Sequence, residues 1–286
     1  MLSVFNRILE KLVFKRLSGF IDKYNLLYCK QFGFRSSHST IHAILSITDN
    51  IQKAFEKGTF SCGIFLDLSK AFDSVNHLIL LEKLDHYGVR GLTRSWFTSY
   101  LSERKQFVSL GNINSEVSNI SCGVPQGSVL GPLLFLLYLN DFHKSSKILE
   151  FHLFADDANL FYTNNNLQEL EEKVNKELIH VQNWLCANKL THSIEKSNFL
   201  IFHPPQKKLT NNIKLCINGK LLKQEKYIKY LGIMIDCHLN WKSHINFVTR
   251  KVKRNIGILS RIRHFTNISI LINLYYTLIY LFLTYG

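Results

Sequence analysis

Two consecutive aspartates, Asp156 and Asp157, stand between two apolar, aromatic runs, Phe151-His152-Leu153-Phe154-Ala155 and Asn159-Leu160-Phe161-Tyr162. The flanking runs have the composition of buried strands, so the pair belongs at the tip of a hairpin. Adjacent like charges repel, and burial of their surroundings raises the cost of keeping both ionised; a bound divalent cation offsets that cost. A third carboxylate, Asp67, ends another short apolar run, Gly63-Ile64-Phe65-Leu66-Asp67-Leu68. If the runs 64–68 and 151–155 lie side by side in one sheet, Asp67 is brought against Asp156. A cluster of hard oxygen donors suits Mg²⁺ bound with the help of substrate phosphates. Two such ions about 3.5–4 Å apart activate an attacking hydroxyl and stabilise a leaving pyrophosphate. Taken alone, the Asp-Asp pair is a weak metal signal and suits a plain polar turn better, since Asp is a common turn residue.

The rest of the chain narrows the setting. Its 286 residues are 46% hydrophobic with only 4 Pro and 14 Gly, which excludes disordered and low-complexity classes and allows a sizeable core. The net charge of +14 points to a polyanionic partner, nucleic acid before a membrane surface. From Cys237 to Gly286 there is no acidic residue, whereas Lys242, Arg250, Lys251, Lys253, Arg254, Arg261 and Arg263 are basic. The six cysteines show no C-x-x-C spacing, and His38 and His42 lack evident further ligands, so no zinc site is expected. Charged residues from Arg7 to Arg16 interrupt any signal-peptide core, and an intracellular, thiol-reducing setting is expected.

Apolar spacing predicts helices over 4–17, 38–57, 75–87, 91–101 and 129–142. The most regular one runs from Leu167 through Leu170, Val174, Leu178 and Val181 to Leu185. Strands are expected at 60–68, 151–155, 159–162, 199–202, 214–217 and 229–235, with a hairpin of 107–110 and 116–121 about a Gly111-Asn112 turn. No repeat or linker interrupts the series, which gives one α+β body.

Three segments then carry a specific resemblance: Phe65-Leu66-Asp67-Leu68-Ser69-Lys70-Ala71-Phe72-Asp73, Gly123-Val124-Pro125-Gln126-Gly127-Ser128-Val129-Leu130-Gly131-Pro132, and Phe154-Ala155-Asp156-Asp157. In this order they resemble the palm motifs of reverse transcriptases in the form found in non-LTR (LINE-type, jockey-like) retrotransposons. Gln31-Phe32-Gly33-Phe34-Arg35 is similar to a fingers motif of that family, and Lys229-Tyr230-Leu231-Gly232-Ile233 to its primer-grip hairpin. The resemblance implies a right-hand polymerase fold with an antiparallel palm sheet backed by helices. Residues 1–60 would be partial fingers and 61–235 the palm, with a fingers insert near 75–122 and the hairpin; 236–286 would be a partial thumb. It implies RNA-directed DNA synthesis, with an RNA template, a DNA primer, dNTP substrates and two Mg²⁺ ions, Mn²⁺ being an alternative.

Residue by residue, the resemblance implies that Asp67, Asp156 and the Leu68 carbonyl bind the ions, with Asp157 in support. The backbone amides of Ser69, Lys70 and Ala71 would hold the triphosphate, and Gln126 would line the nucleotide pocket. Phe72 would pack under the sugar and exclude a 2′-hydroxyl, the competing reading being a core phenylalanine. Lys196 matches a lysine proposed to protonate the departing pyrophosphate, the competing reading being a solvated surface lysine. Arg35 and Gly127 would meet the template, although a fingers salt bridge suits Arg35 nearly as well. Tyr230, Leu231 and Gly232 would hold the primer. Basic residues alternating with Phe247, Val248, Val252, Ile256 and Leu259 read as a thumb helix, with Lys251 and Arg254 on phosphates.

Departures from the family pattern set the alternatives. The usual preceding fingers strand with its Arg-Pro pair is missing before Met1, and the chain stops inside the apparent thumb. It therefore reads as a fragment of a longer mobile-element polyprotein or a degenerate copy, with a catalytically inactive nucleic-acid-binding remnant as the alternative function. Residues 268–286 carry no charge over 19 positions, within the length of a bilayer span, but Asn273 and four tyrosines make them polar for one. No stable membrane association is expected, and the setting is the nucleus or cytoplasm.

Overall fold

The computed structural model describes residues 4–285 except 103, 112, 126, 208 and 210–212. In chain order its helices are α1 (Val4–Lys23), α2 (Thr40–Glu56), α3 (His77–His86), α4 (Leu92–Leu101), α5 (Gly131–Leu139), α6 (Leu167–Ala187), α7 (Lys242–Ile262), α8 (Ile268–Tyr275) and α9 (Leu281–Thr284). The principal strands are β1 (Phe60–Leu68), β2 (Glu150–Phe154), β3 (Asp157–Asn164), β4 (His192–Phe202), β5 (Lys223–Gln224), β6 (Tyr227–Tyr230) and β7 (Ile233–Asp236).

Five strands form one sheet in the order β5-β4-β1-β3-β2, antiparallel except for the β5–β4 pair. β1 is the middle strand because its sequence is apolar on both faces, and eight of its nine residues are buried. The period-2 alternation of the strands sends successive side chains to two separate cores. Phe60, Cys62, Ile64, Leu66 and Leu68 of β1 join Ala158 and Leu160 of β3 in the larger core, together with α5 and α6. Phe65, Phe161, Leu200 and Phe202 point the other way, against Ala43, Ile44, Ile47 and Ile51 of α2 and the β6–β7 hairpin. A Cβ at Gly63 would lie 2.7 Å from the Phe161 ring and 2.9 Å from the Phe202 ring, so glycine is what lets those two rings stack across β1.

Helix α5 is apolar all round and buried almost throughout, as befits a helix with other elements on every side. Helix α6 is amphipathic: Leu167, Leu170, Val174, Leu178, Val181 and Leu185 are buried, and the Asn166 side chain caps its start by accepting from the Gln168 amide.

Three expectations are corrected. The strand 64–68 does not lie beside 151–155; β3 intervenes, because the hairpin folds its second arm onto β1. The segment that apolar content alone predicts as one strand over 229–235 is a hairpin, β6–β7, as the resemblance over 229–233 implies, closed by Leu231 and Gly232 with φ of +43° and +88°. The ribbon near 105–120 pairs in two parts, Lys105–Gln106 with Ser118–Asn119 and Ser109–Leu110 with Ile113–Asn114; of its Gly111-Asn112 turn, Asn112 lies outside the described residues. No helix among the described residues is long and apolar enough to cross a membrane. The uncharged tail is instead broken into α8, a π-helical turn Tyr276–Tyr280 and α9.

Candidate active site

Register places the carboxylates. In the antiparallel β1–β3 pair Asp67 lies directly opposite Asp157, and both fall on the face that carries Phe65 and Phe161. Asp156 occupies the apex of the two-residue turn that Phe154 and Asp157 close. The sequence-based pairing of Asp67 with Asp156 is thus corrected in detail: Asp157, assigned a supporting part, is the cross-strand partner of Asp67. The three form one electrostatic cluster. The Asp157 carboxyl is pushed up to about 6, first by its partial removal from water and then by the charges of Asp156 and Asp67. No Lys or Arg ion-pairs with any of the three among the described residues. An all-oxygen set with its charges left unbalanced has the donor chemistry of a hard divalent-cation site, and because the three carboxylates do not all come within 4.8 Å of one another, they would have to draw together around the ion.

The turn is held by residues 30–33, part of a segment in which sequence reasoning gave a role only to Arg35. Residues 30–32 lie alongside β2, with the Phe32 amide donating to the Leu153 carbonyl at 2.8 Å and the Leu153 amide to the Lys30 carbonyl at 2.9 Å. The buried Gln31 side chain accepts from the amides of Gly33 (3.0 Å) and Ala155 (3.2 Å), the residue before Asp156. Ala155 has φ of +55°, a conformation that costs a non-glycine residue roughly 1–2 kcal/mol and persists only under such constraint. Gly33 packs so closely that a Cβ there would lie 2.3 Å from the Ala155 nitrogen. The signal for Gln31 was its place two residues before this glycine. The Arg35 guanidinium donates to the carbonyls of Tyr28 (2.9 Å) and Gln31 (3.2 Å), so it braces this loop; it makes no salt bridge among the described residues.

Lys196 arrives by a β-bulge. Phe65 pairs with Asn198 but Asp67 with Ser193, so residues 194–197 of β4 swell out opposite Leu66. Ser197 closes the bulge, its hydroxyl donating to the Ser193 carbonyl (2.7 Å) and accepting from the Asp67 amide (3.2 Å). Lys196, exposed, thereby borders a cleft of about 490 Å³ with Asp67, Asp157, Asn159, Asn198 and the β6–β7 hairpin.

Just past β1 the Ser69 amide donates to the Thr191 carbonyl at 2.9 Å, which removes it from the expected set of triphosphate-binding amides. Lys70, with φ of +48°, and Ala71 remain, and their amides have no partner among the described residues. Phe72 is half-buried, stacked on Phe135 at 4.2 Å and edge-on to Phe34 at 6.0 Å, while Asp73 is exposed. The loop from Gly123 is stitched to this segment: Gly123 donates to the Val75 carbonyl (2.7 Å) and Val124 to that of Phe72 (2.9 Å). A Cβ at Gly123 would meet the Asp73 carbonyl at 2.8 Å. Gln126 lies outside the described residues; Gly127 has φ of +78°. A further residue, Glu10 of α1, escaped sequence reasoning because nothing in its helical, charged surroundings marks it. It is 1% exposed and accepts from the Tyr100 hydroxyl and the Val129 amide, both at 2.7 Å, fixing the end of the same loop.

At the hairpin, Tyr230 is buried against Phe65 and is a packing residue, so its expected direct contact with a primer is corrected. Leu231 and Gly232 stand further out, and the Tyr285 hydroxyl donates to the Leu231 carbonyl at 2.6 Å. Helix α7 has no buried residue. Lys251 and Lys229 lie 5.8 and 5.9 Å from the Phe247 ring, and Arg254 is exposed.

A five-stranded, largely antiparallel sheet with clustered carboxylates at a hairpin tip defines the palm of a template-directed polymerase. Residues 1–235 match the family described as reverse transcriptase (RNA-dependent DNA polymerase), and the chain belongs to that family, whose members use divalent metal ions. The probable RNA-directed DNA polymerase from transposon BS of Drosophila melanogaster is 31% identical over 88% of this chain and 28% of that protein. The RNA-directed DNA polymerase from mobile element jockey of the same organism is 27% identical over 98% of this chain and 31% of its own length. The chain thus spans under a third of these relatives. Among solved structures, telomerase from Candida tropicalis with a fragment of telomeric RNA superposes with a TM-score of 0.54 at 13% identity, covering 79% of this chain and 36% of that one. Telomerase from Candida albicans gives 0.52 at 12% identity, over 98% and 47%. At such identities the likeness shows the fold.

Proposed function

We propose that this chain carries RNA-templated DNA synthesis for a mobile element, adding dNTPs to a primer 3′-hydroxyl. The observation that carries the reading is the cross-strand pair Asp67–Asp157 with Asp156 at the adjoining apex, in a cleft walled by the bulge and the β6–β7 hairpin. Residues 1–60 serve as fingers, 61–235 as palm with the 75–122 insert, and 236–286 as part of the thumb.

Asp67, Asp156 and the Leu68 carbonyl would hold two Mg²⁺ ions, or Mn²⁺, with Asp157 beside them; when bound, such ions lower the barrier to nucleotidyl transfer by stabilising the attacking and leaving oxygens. The chain's own groups orient the reactants. The amides of Lys70 and Ala71 face the triphosphate, and the Phe72 ring, backed by Phe135, presents a surface that cannot hydrogen-bond a 2′-hydroxyl and so selects deoxynucleotides. Lys196 stands at the cleft to hand a proton to the departing pyrophosphate oxygen. Leu231 and Gly232 position the primer terminus, while Gly127 and the fingers loop braced by Arg35 guide the RNA. Lys251 and Arg254 of α7 contact backbone phosphates without reading sequence. The chemistry is then mostly positioning and electrostatics.

The test is dNTP incorporation on a primed RNA template with Mg²⁺, comparing the wild type with Asp156→Ala/Asp157→Ala. Incorporation by the wild type that disappears in the double variant is expected. Incorporation unchanged by the substitutions would overturn the assignment. RNA binding without incorporation by the wild type would identify a binding remnant instead.

A further inference from the structure

A second donor cluster lies well away from the carboxylates. A ring nitrogen of His203, the Cys237 Sγ and a ring nitrogen of His238 lie within 4.8 Å of one another, the one such His/Cys/Asp/Glu group among the described residues. His203 immediately follows β4, and Cys237 and His238 immediately follow β7. Because Phe202 pairs with Ser61 whereas Ser193 pairs with Asp67, the cluster is about 20 Å along the sheet from the carboxylates, at roughly 3.3 Å per residue.

Its surroundings are built to present lone pairs. The His203 Nδ1 faces the Pro204 carbonyl at 3.1 Å, and the His238 Nδ1 faces the His203 carbonyl at 3.0 Å. A carbonyl only accepts, so each Nδ1 carries the proton and each neutral ring keeps its lone pair on Nε2. Metal-ligating histidines are oriented by this same type of bond to a backbone carbonyl. The backbone is fixed as well. The His203 amide donates to the Cys237 carbonyl at 3.1 Å, locking the two strand ends together. The buried Asp236 carboxylate accepts from the amides of His238 (3.1 Å), Asn240 (3.2 Å) and Trp241 (3.0 Å), which shapes the turn bearing Cys237 and His238. With three amides on it, Asp236 is committed to the turn and is not a fourth ligand.

We propose that Nε2 of His203, Nε2 of His238 and Sγ of Cys237 bind a borderline-soft divalent cation of the zinc class, with solvent in the fourth position. Two imidazoles and a thiolate match Zn²⁺ and suit Mg²⁺ or Ca²⁺ poorly, since those ions take oxygen. Zinc–ligand distances of about 2.0–2.3 Å require the donors to come closer than the 4.8 Å that bounds the group, by rotation of the two imidazoles and the thiol. The half-buried Cys237 and His238 leave the fourth position open to water. The ion would pin the end of the palm strand β4 to the foot of the hairpin, its last ligand four residues before α7 begins at Lys242.

Co²⁺ titration of the full chain tests this, because a sulfur-to-cobalt charge-transfer band reports thiolate ligation that the carboxylate cluster cannot produce. One equivalent of Co²⁺ is expected to give the band, and Zn²⁺ to abolish it. In Cys237→Ser the band disappears. In His203→Gln Co²⁺ affinity falls by more than the roughly 10–100-fold typical of outer-shell changes. In Asp156→Asn/Asp157→Asn the band is unchanged. Zn²⁺ also raises the Tm of the wild type and not that of Cys237→Ser, whose folded state is verified by circular dichroism. Absence of the band in folded wild type, or a band that survives Cys237→Ser, would overturn the proposal. Cys237→Ala is the second variant should the serine form misfold, and a band persisting in it would overturn the proposal equally.

Discussion

Asp157 is where folding and chemistry pull in opposite directions. Its carboxyl titrates near the ordinary 3.8 in an unfolded chain but is pushed up to about 6 in the fold by burial and by Asp156 and Asp67. Between those values the folded state holds an extra proton, so this group's contribution to stability is complete at low pH and is lost as pH rises through about 6. Above that, three unbalanced carboxylates strain the hairpin tip. Asp157→Asn is therefore expected to melt about 1–2 °C above wild type at pH 7.5 in chelator, a small gain because the group is open to screening. The gain should vanish at pH 4.5, and added Mg²⁺ should raise only the wild-type Tm. A variant that melts below wild type at pH 7.5 without metal would contradict this account. The carboxylates themselves were legible as residues, because charge inside an apolar strand pattern has few explanations. Gln31 was legible only as a member of the 31–35 motif, without its role, and Glu10 was not legible at all, since a buried polar side chain that satisfies backbone amides from another element leaves no local pattern.

At the scale of elements, residues 30–35 are a clamp on the turn that carries Asp156. Gly33→Ala places a methyl group 2.3 Å from the Ala155 nitrogen, and Gln31→Ala strips two amides of their acceptor. Displacing a reacting group by about an ångström costs on the order of 100-fold in rate. Both variants are therefore expected to lose roughly 10–100-fold in kcat for primer extension while RNA affinity stays within about twofold. A fall in RNA affinity that matches the loss in rate would mean that the segment grips template instead. Helix α6 illustrates what the sequence shows readily: its stripe needs only the 3.6-residue period, and Leu178→Ala in it belongs to the class costing about 2–5 kcal/mol. Strand β4 shows the reverse. Its first half, His192–Ser197, is polar and bulged, so neither alternation nor apolar content announces it, and its pairing depends on β1 lying alongside.

Across the whole molecule, positive charge is concentrated where no core forms. Helix α7 has no buried residue and carries Lys251 and Arg254, while Tyr285 holds the β6–β7 hairpin through the Leu231 carbonyl. Each phosphate contact releases about 0.9 counterion on duplex, so Lys251→Ala/Arg254→Ala is expected to reduce the salt slope of primer–template binding by roughly 2, uniformly across sequences. An unchanged slope would place the duplex elsewhere. The architecture and its motif order were readable from one chain because strand and helix periods change cleanly between segments. The His203–Cys237–His238 group was not, since its members are 34 residues apart in sequence and meet only through tertiary pairing. The two-faced sheet also fixes which genetic accidents this chain survives. Asp67 and Asp157 reach the cleft by parity alone, so one codon gained or lost within β1 or β3 turns an aspartate toward the core with α5 and α6. A whole-codon insertion there that is not absorbed as a bulge takes a carboxylate off the cleft face, whereas the exposed turn around Gly219 can lengthen without moving either carboxylate.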